Sequence, residues 1–328
     1  MNSLPPPTPE RRRASVRRSR RSGRAKACSA PALIGVGVDG TSSGCDAVVL
    51  GSLLALPTAA ELMLIAVAEE PLMQVVLPHE MDFRRREQQT WAMLAQTRDS
   101  LAPDARIVVE SDVLIWRALR HVVRREHRDL LVVGSARDAD DRRVRLGRSA
   151  RELFSHLECP LAIAPSGMRN RGTSHVKRIG VGFDGEPESR AALGLAIAIA
   201  STAGAHLHIR SVADDQIPRT LRAEEAALEG DTIVAERVTS LLERELAGAR
   251  AIGTRTHVDF VSGDPAEALK ALATQIDLLV LGSDQSGLSG RVQLGHTGHA
   301  ILHDAPCPTL IVPRPRAHTG PQRNAAAL

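Results

Sequence analysis

The chain has 328 residues, enough for two domains of ordinary size, and its 43% hydrophobic content suffices for two cores. Aromatic residues make up only 2%, with no tyrosine, so few side chains are free to stack on unpaired bases; this argues against single-strand nucleic-acid binding. The formal net charge of +4 is uneven: residues 1–30 carry nine Arg and Lys against one acid, and the remainder is mildly acidic.

The first segment, residues 1–30, joins a proline-rich stretch to the arginine run and reads as a disordered tail. It could contact nucleic acid or an anionic membrane surface, but a solubilising extension explains it more simply. The apolar stretch behind it is short and ends at Asp39, which makes it a poor signal-peptide core and a good first strand. No run of 18 apolar residues follows, so no transmembrane segment is expected. The four cysteines, Cys28, Cys45, Cys159 and Cys307, form no C-x-x-C pair, and free thiols fit a cytoplasmic protein.

From residue 33 onward, strand and helix signals alternate. Strands are expected over 33–38, 61–67, 106–110, 129–134 and 161–164, with helices over 43–56, 81–101, 114–127 and 148–157. Met63, Met73, Met81 and Met93 read as core or helix-face residues, and Trp91 and Trp116 as packing anchors. A short link rich in Gly, Ser, Arg and Asn, 166–176, leads into a second series. Its strands are expected over 178–183, 206–212, 255–261, 277–282 and 309–312, and its helices over 188–202, 231–248, 265–274 and 296–303. Residues 316–328 read as a second disordered tail.

The two series are copies. Ile34 to Gly40 matches Ile179 to Gly185, Asp129 to Ser135 matches Asp277 to Ser283, Leu146-Gly147 matches Leu294-Gly295, and Cys159-Pro160 matches Cys307-Pro308. Constant order at nearly constant spacing marks an internal duplication. Alternating β and α elements imply an α/β fold of two tandem Rossmann-like domains, 31–167 and 175–315. Each is a five-stranded parallel sheet flanked by helices.

In such sheets a ligand binds beyond the carboxyl ends of the strands, where strand order reverses. Strand one there ends in Asp39 and Asp184, and strand four in Gly134-Ser135 and Gly282-Ser283. The last helix of each copy opens with Gly147, Arg148 and Ser149, or with Gly295, His296, Thr297 and Gly298. Glycine and hydroxyl residues there suit a phosphate, and equally cap a helix with no ligand. His296, His299 and His303 recur at helical spacing before Cys307, but lack a supporting carboxylate, so no metal site is assigned. No nucleophile–base motif accompanies Asp39, Asp112 or Asp184, so no catalytic residues are assigned.

The strand-one Asp, the apolar Gly-Ser strand four, Leu-Gly before the last helix and Ala305-Pro306-Cys307-Pro308 together resemble the universal stress protein family. The resemblance implies a nucleotide-binding regulator of the stress response, with ATP and Mg²⁺ as the ligand of its ATP-binding members. It carries the adenosine contacts to Asp39 and Val67, and to Asp184 and Val212. The family phosphate motif is G-x2-G-x9-G-[ST]. Here Arg137 or Gln285 replaces its second glycine, and Arg148 or His296 its hydroxyl residue. Gly287 and Gly290 leave the second copy a loop able to close on phosphate, whereas Asp138, Asp140 and Asp141 in the first would repel it. The second copy is therefore the expected site. Family dimers pair through the last strand, which implies an intramolecular pseudo-dimer through 161–164 and 309–312, with Pro165 and Pro313 terminating sheet edges; a homodimer is the other arrangement. A nucleotide-independent interaction module acting on a protein partner stays open as the alternative function.

Overall fold

The computed structural model describes residues 29–70, 80–172, 174–213, 239–247, 249, 253–283 and 294–314. The first half runs β1 (Leu33–Gly37), α1 (Ser42–Ala55), β2 (Glu61–Glu69), α2 (Glu80–Leu101), β3 (Arg106–Asp112), α3 (Ile115–Arg125), β4 (Leu130–Gly134), α4 (Arg148–Phe154) and β5 (Leu161–Ala164). The second runs β6 (Arg178–Gly182), α5 (Pro187–Ala203), β7 (His206–Ala213), β8 (Thr256–Ser262), α6 (Pro265–Ala273), β9 (Leu278–Gly282), α7 (His296–Leu302) and β10 (Thr309–Val312). Residues 239–247 are helical. The rest of the helix expected over 231–248, both tails, and Met73, Gly287 and Gly290 lie outside the described residues, as does the side chain of Met81.

Each half is a parallel sheet with β1 or β6 at its centre, and the sheet order is β3-β2-β1-β4-β5-β10-β9-β6-β7-β8. All pairings are parallel except β5 with β10, where Thr309 faces Ile163 and Ile311 faces Leu161 in antiparallel register. β5 and β10, each the outer strand of its own half, therefore lie at the centre of one ten-stranded sheet. Pro165 and Pro313 follow the last paired residues, so their missing N–H groups fall beyond the ladder.

The same side-chain devices set the frame of both halves. Asp129 accepts hydrogen bonds from the N–H groups of Ala32 and Leu33 at 3.1 Å, and Asp277 accepts from Lys177 and Arg178 at 2.9 Å. Each ties the start of the central strand to its neighbour. Gly40 and Gly185 take φ of +74° and +84°, a conformation that favours glycine, and turn the chain from strand to helix. Gly134 and Gly282 have a different reason: a Cβ there would lie 2.2 Å from Ser43 or 2.6 Å from the Glu188 backbone. The first helix of each half abuts the end of the fourth strand, and only glycine leaves room.

Two apolar layers cover the sheet, and each runs through both halves. One gathers Ile34, Val36, Ile179 and Val181 under α1 and α5; the other gathers Leu131, Ile163, Leu279 and Ile311 under α3, α4, α6 and α7. Met63 is fully buried and Met93 packs partly buried against the first layer. Trp91 departs from its expected role: it stays exposed on α2. Trp116 is partly buried and stacks on His156 at 4.2 Å. β2 and β3 run two residues further than expected, to Glu69 and Asp112, because their pairing continues through Glu69 facing Asp112.

The link between halves is held by Asp46. Its carboxylate is 1% exposed and accepts from the N–H of Gly167 at 2.9 Å, the N–H of Arg169 at 2.8 Å and the Arg169 guanidinium at 3.3 Å. Arg143 reaches Asp304 at 3.5 Å, and Val144 bridges to Ala305, adding side-chain and backbone contacts across the junction. Among the described residues, no helix is long and apolar enough to cross a membrane.

Candidate functional site

Two cavities open at the carboxyl ends of the parallel strands, one in each half, where β1 lies between β2 and β4 and β6 between β7 and β9. This is the switch point at which α/β sheets take their ligands. The first is about 910 Å³ and the second about 470 Å³, both within the range of small-molecule sites.

The first cavity brings together Asp39, Val67, Gly134, Ser135, Gly147, Arg148 and Ser149, every candidate named from the first copy. Asp39 Oδ1 accepts from the Thr41 N–H at 3.0 Å and the Thr41 hydroxyl at 2.6 Å, while Oδ2 faces Arg137 Nη2 at 3.4 Å. Ser135 is not available to a ligand: its hydroxyl donates to the Ala164 carbonyl at 2.7 Å and is buried. Gly147 has open space, since a Cβ there would meet only Ala136, at 3.8 Å. The cavity also draws in Glu69, Arg145, Arg151 and Glu152, which motif reading did not single out. Arg145 folds the loop back on itself. Its carbonyl accepts from the Ala136 N–H at 2.8 Å and its guanidinium meets the Asp138 carboxylate at 3.1 Å. The loop acids are thus less repulsive than the sequence suggested. Asp138 is neutralised by Arg145, Asp141 pairs with Arg142 at 3.7 Å, and neither Asp140 nor Asp141 lines the cavity.

The second cavity brings together Asp184, Val212, Gly282, Ser283, Gly295, His296, Thr297 and Gly298. Asp184 accepts from the Glu186 N–H at 2.9 Å, the same turn that Asp39 makes. The remaining lining differs. Glu188 is 3% exposed and meets Arg314 at 3.1 Å, in the place where the first half has Ser43. Arg210 stands where the first half has Ile65; it donates to the Ala268 carbonyl and pairs with Asp259, both at 3.0 Å. Neither residue lies in a recognisable motif. The alternation of His206, His208 and Arg210 along β7 was the one sequence signal that this face is polar.

His296, His299 and His303 do not assemble a metal site. Among the described residues, no group of three or more His, Cys, Asp or Glu is placed to hold a metal ion. Burial pushes the Cys307 thiol up to about 12, which leaves it a poor ligand or nucleophile.

Residues 175–313 match the Universal stress protein family. A universal stress protein of Thermus aquaticus, described as lying in the QAH/OAS sulfhydrylase 3' region, is 30% identical over 143 residues, which span 42% of this chain and 98% of that protein. Among solved structures, a universal stress protein from Archaeoglobus fulgidus superposes with a TM-score of 0.58 at 17% identity, covering 88% of this chain and 97% of that one. One from Pseudomonas aeruginosa gives 0.57 at 18% identity, covering 88% and 95%. The two structures show the shared fold, and the Thermus relative, matched almost end to end, shows the kinship. With its strand-end cavities and repeated Asp-Gly turns, the chain belongs to the universal stress protein family.

Proposed function

We propose that the chain is a regulatory stress-response protein that binds an adenine nucleotide, with the first-half cavity as the principal site. One observation carries this reading: that cavity gathers Asp39 and Val67 on one side and Gly147, Arg148 and Ser149 on the other, around a volume of about 910 Å³. Family resemblance gives the first pair to the nucleoside and the second group to its phosphates. The first half is preferred over the second, against the expectation from loop glycines, for two reasons. Its loop acids are paired or turned away, and four arginines line its cavity, whereas the only arginine lining the second, among the described residues, is Arg210, which is already paired with Asp259.

In this reading nucleotide binding biases the choice of a protein partner, and the protein is a regulator and not a metabolic enzyme. The domains are 31–167 and 175–315, paired through β5 and β10 as an intramolecular pseudo-dimer, in a cytoplasmic protein with tails at 1–30 and 316–328. The lining of the second cavity favours a nucleotide-independent interaction role for that half.

Thermal unfolding of the full chain across titrations of ATP, ADP, AMP and cyclic AMP tests the proposal. A ligand at 100 times its dissociation constant adds about 2.7 kcal/mol to what it binds. A saturable upward shift is expected, lost in Gly147→Val and kept in Gly295→Val. The reverse pattern would move the site to the second half. No shift at millimolar nucleotide would leave the interaction-module reading.

A further inference from the structure

We propose that the first-half cavity holds the phosphate chain of its nucleotide through arginines, without a divalent metal, so that the preferred ligand is a metal-free polyphosphate; this rests on the nucleotide reading above. Four guanidinium groups, Arg137, Arg145, Arg148 and Arg151, line the side of the cavity formed by the β4–α4 loop and α4. Asp39 and Glu69 stand at the ends of β1 and β2, with Arg137 reaching Asp39, and Asp138 and Glu152 lie among the arginines. Cations outnumber acids four to two on the loop and helix wall, while the strand ends, where nucleoside-type contacts fall, carry acids.

The four arginines are not equally committed. Arg145 is held by Asp138 at 3.1 Å. Arg137 touches Asp39 at 3.4 Å with side chains 74% and 49% exposed, a contact weak enough for a phosphate to replace. Arg148 and Arg151 are exposed, and no carboxylate among the described residues lies within ion-pair distance of either, although Glu152 lines the same cavity. Three cations are thus free or cheaply freed, and arginine binds phosphate oxygens in a paired, charge-assisted geometry.

Magnesium would have to compete for its oxygens there: Asp39 is turned to Thr41 and Arg137, and Asp138 to Arg145, which leaves Glu69, Glu152 and the Ser149 hydroxyl on the wall. It takes hydroxyl, carboxylate and water oxygens around a phosphate. The hydroxyl of Ser135 is turned to the Ala164 carbonyl, and Arg148 stands where the phosphate motif places a hydroxyl residue. Guanidinium groups at the phosphates repel a dication and supply the same charge compensation. Complexation by Mg²⁺ also removes two charges from the ligand and weakens its pull on the arginines.

Calorimetric titration of the full chain with ATP and with AMP, each in EDTA and in excess Mg²⁺, decides the matter. In EDTA, ATP is expected to bind at least about tenfold tighter than AMP, the scale of one or two charge-assisted contacts. Mg²⁺ should weaken ATP several-fold and leave AMP unchanged. The double variant Arg148→Ala with Arg151→Ala should lose the advantage of ATP over AMP and keep its unliganded melting temperature, since both side chains are exposed. ATP binding that requires Mg²⁺, or an ATP advantage that survives in the double variant, overturns the proposal. AMP binding with no ATP advantage overturns it alone and leaves the nucleotide reading standing; absence of binding by either overturns both.

Discussion

The two halves share a frame and differ in what the frame encloses. Asp129 and Asp277 tie the same strands, Gly40 and Gly185 make the same turn, and Gly134 and Gly282 admit the same helix. Inside the cavities the repeat breaks down: Ser43 becomes Glu188, Ile65 becomes Arg210, and among the described residues four arginines line the first cavity and one the second. Positions dictated by backbone clearance and buried hydrogen bonds have stayed alike. Positions facing the cavity, where packing sets fewer terms, have diverged. The glycines that most resemble a phosphate motif, Gly134 and Gly282, are explained by helix packing, and they are weak evidence for a ligand in either half.

The largest expected effect lies where the halves are least alike. Asp46 ties the first half to the link, and the second half has Ala191 at that place in its helix. Asp46→Ala leaves two part-buried N–H groups and the Arg169 guanidinium without their acceptor, and should cost about 2–3 kcal/mol in urea unfolding. A loss under about 1 kcal/mol would mean that the β5–β10 pairing alone organises the junction. Next come the glycines. Gly134→Ala and Gly282→Ala should each lose about 1–3 kcal/mol, because the added methyl meets backbone atoms. Gly147→Ala should stay within about 0.5 kcal/mol, since its Cβ makes only ordinary contacts. Unequal losses at Gly134 and Gly282 would break the claim that the two frames are equivalent.

The smallest effect separates the halves by pH. Burial, then His257 and His206, hold His208 below the ordinary histidine range. Its folded form therefore resists protonation, and stability should begin to fall as pH drops below about 6.5, where the unfolded chain takes the proton. In the first half the hydrogen bond from Arg117 holds Asp112 below the ordinary carboxylate range. That contribution is present above about 3.9 and is lost only as pH falls through the lower folded value. Melting temperature between pH 7.5 and 5.5 should decline slightly, and His208→Met, which installs the residue found at Met63, should flatten the decline. An unchanged slope would assign it to other histidines.

Much of the candidate site was legible because its residues sit at strand ends that hydrophobic periodicity locates. Asp39, Asp184, Gly147 and Gly295 all fall on a cavity wall, as the landmarks required. What misled was the loop after β4. Asp138, Asp140 and Asp141 read as a repulsive cluster, yet Arg145, seven residues beyond Asp138, neutralises the one that lines the cavity. Side-chain pairing within a loop has no period to read. Pro165 and Pro313 mark where each last strand stops, and the strand lying beside it came from family resemblance and not from the residues.

By itself the sequence determined the duplication, the alternating elements, the parallel sheet of each half and the strand ends around which a ligand could gather. These follow from local periodicity, glycine conformation and repeated spacing. Only the tertiary structure decided the antiparallel register of β5 on β10, that Gly134 serves a helix, that Ser135 is already bonded and that the arginines converge on the first cavity. Each of those depends on contacts between residues distant along the chain, and such contacts are set by three-dimensional packing.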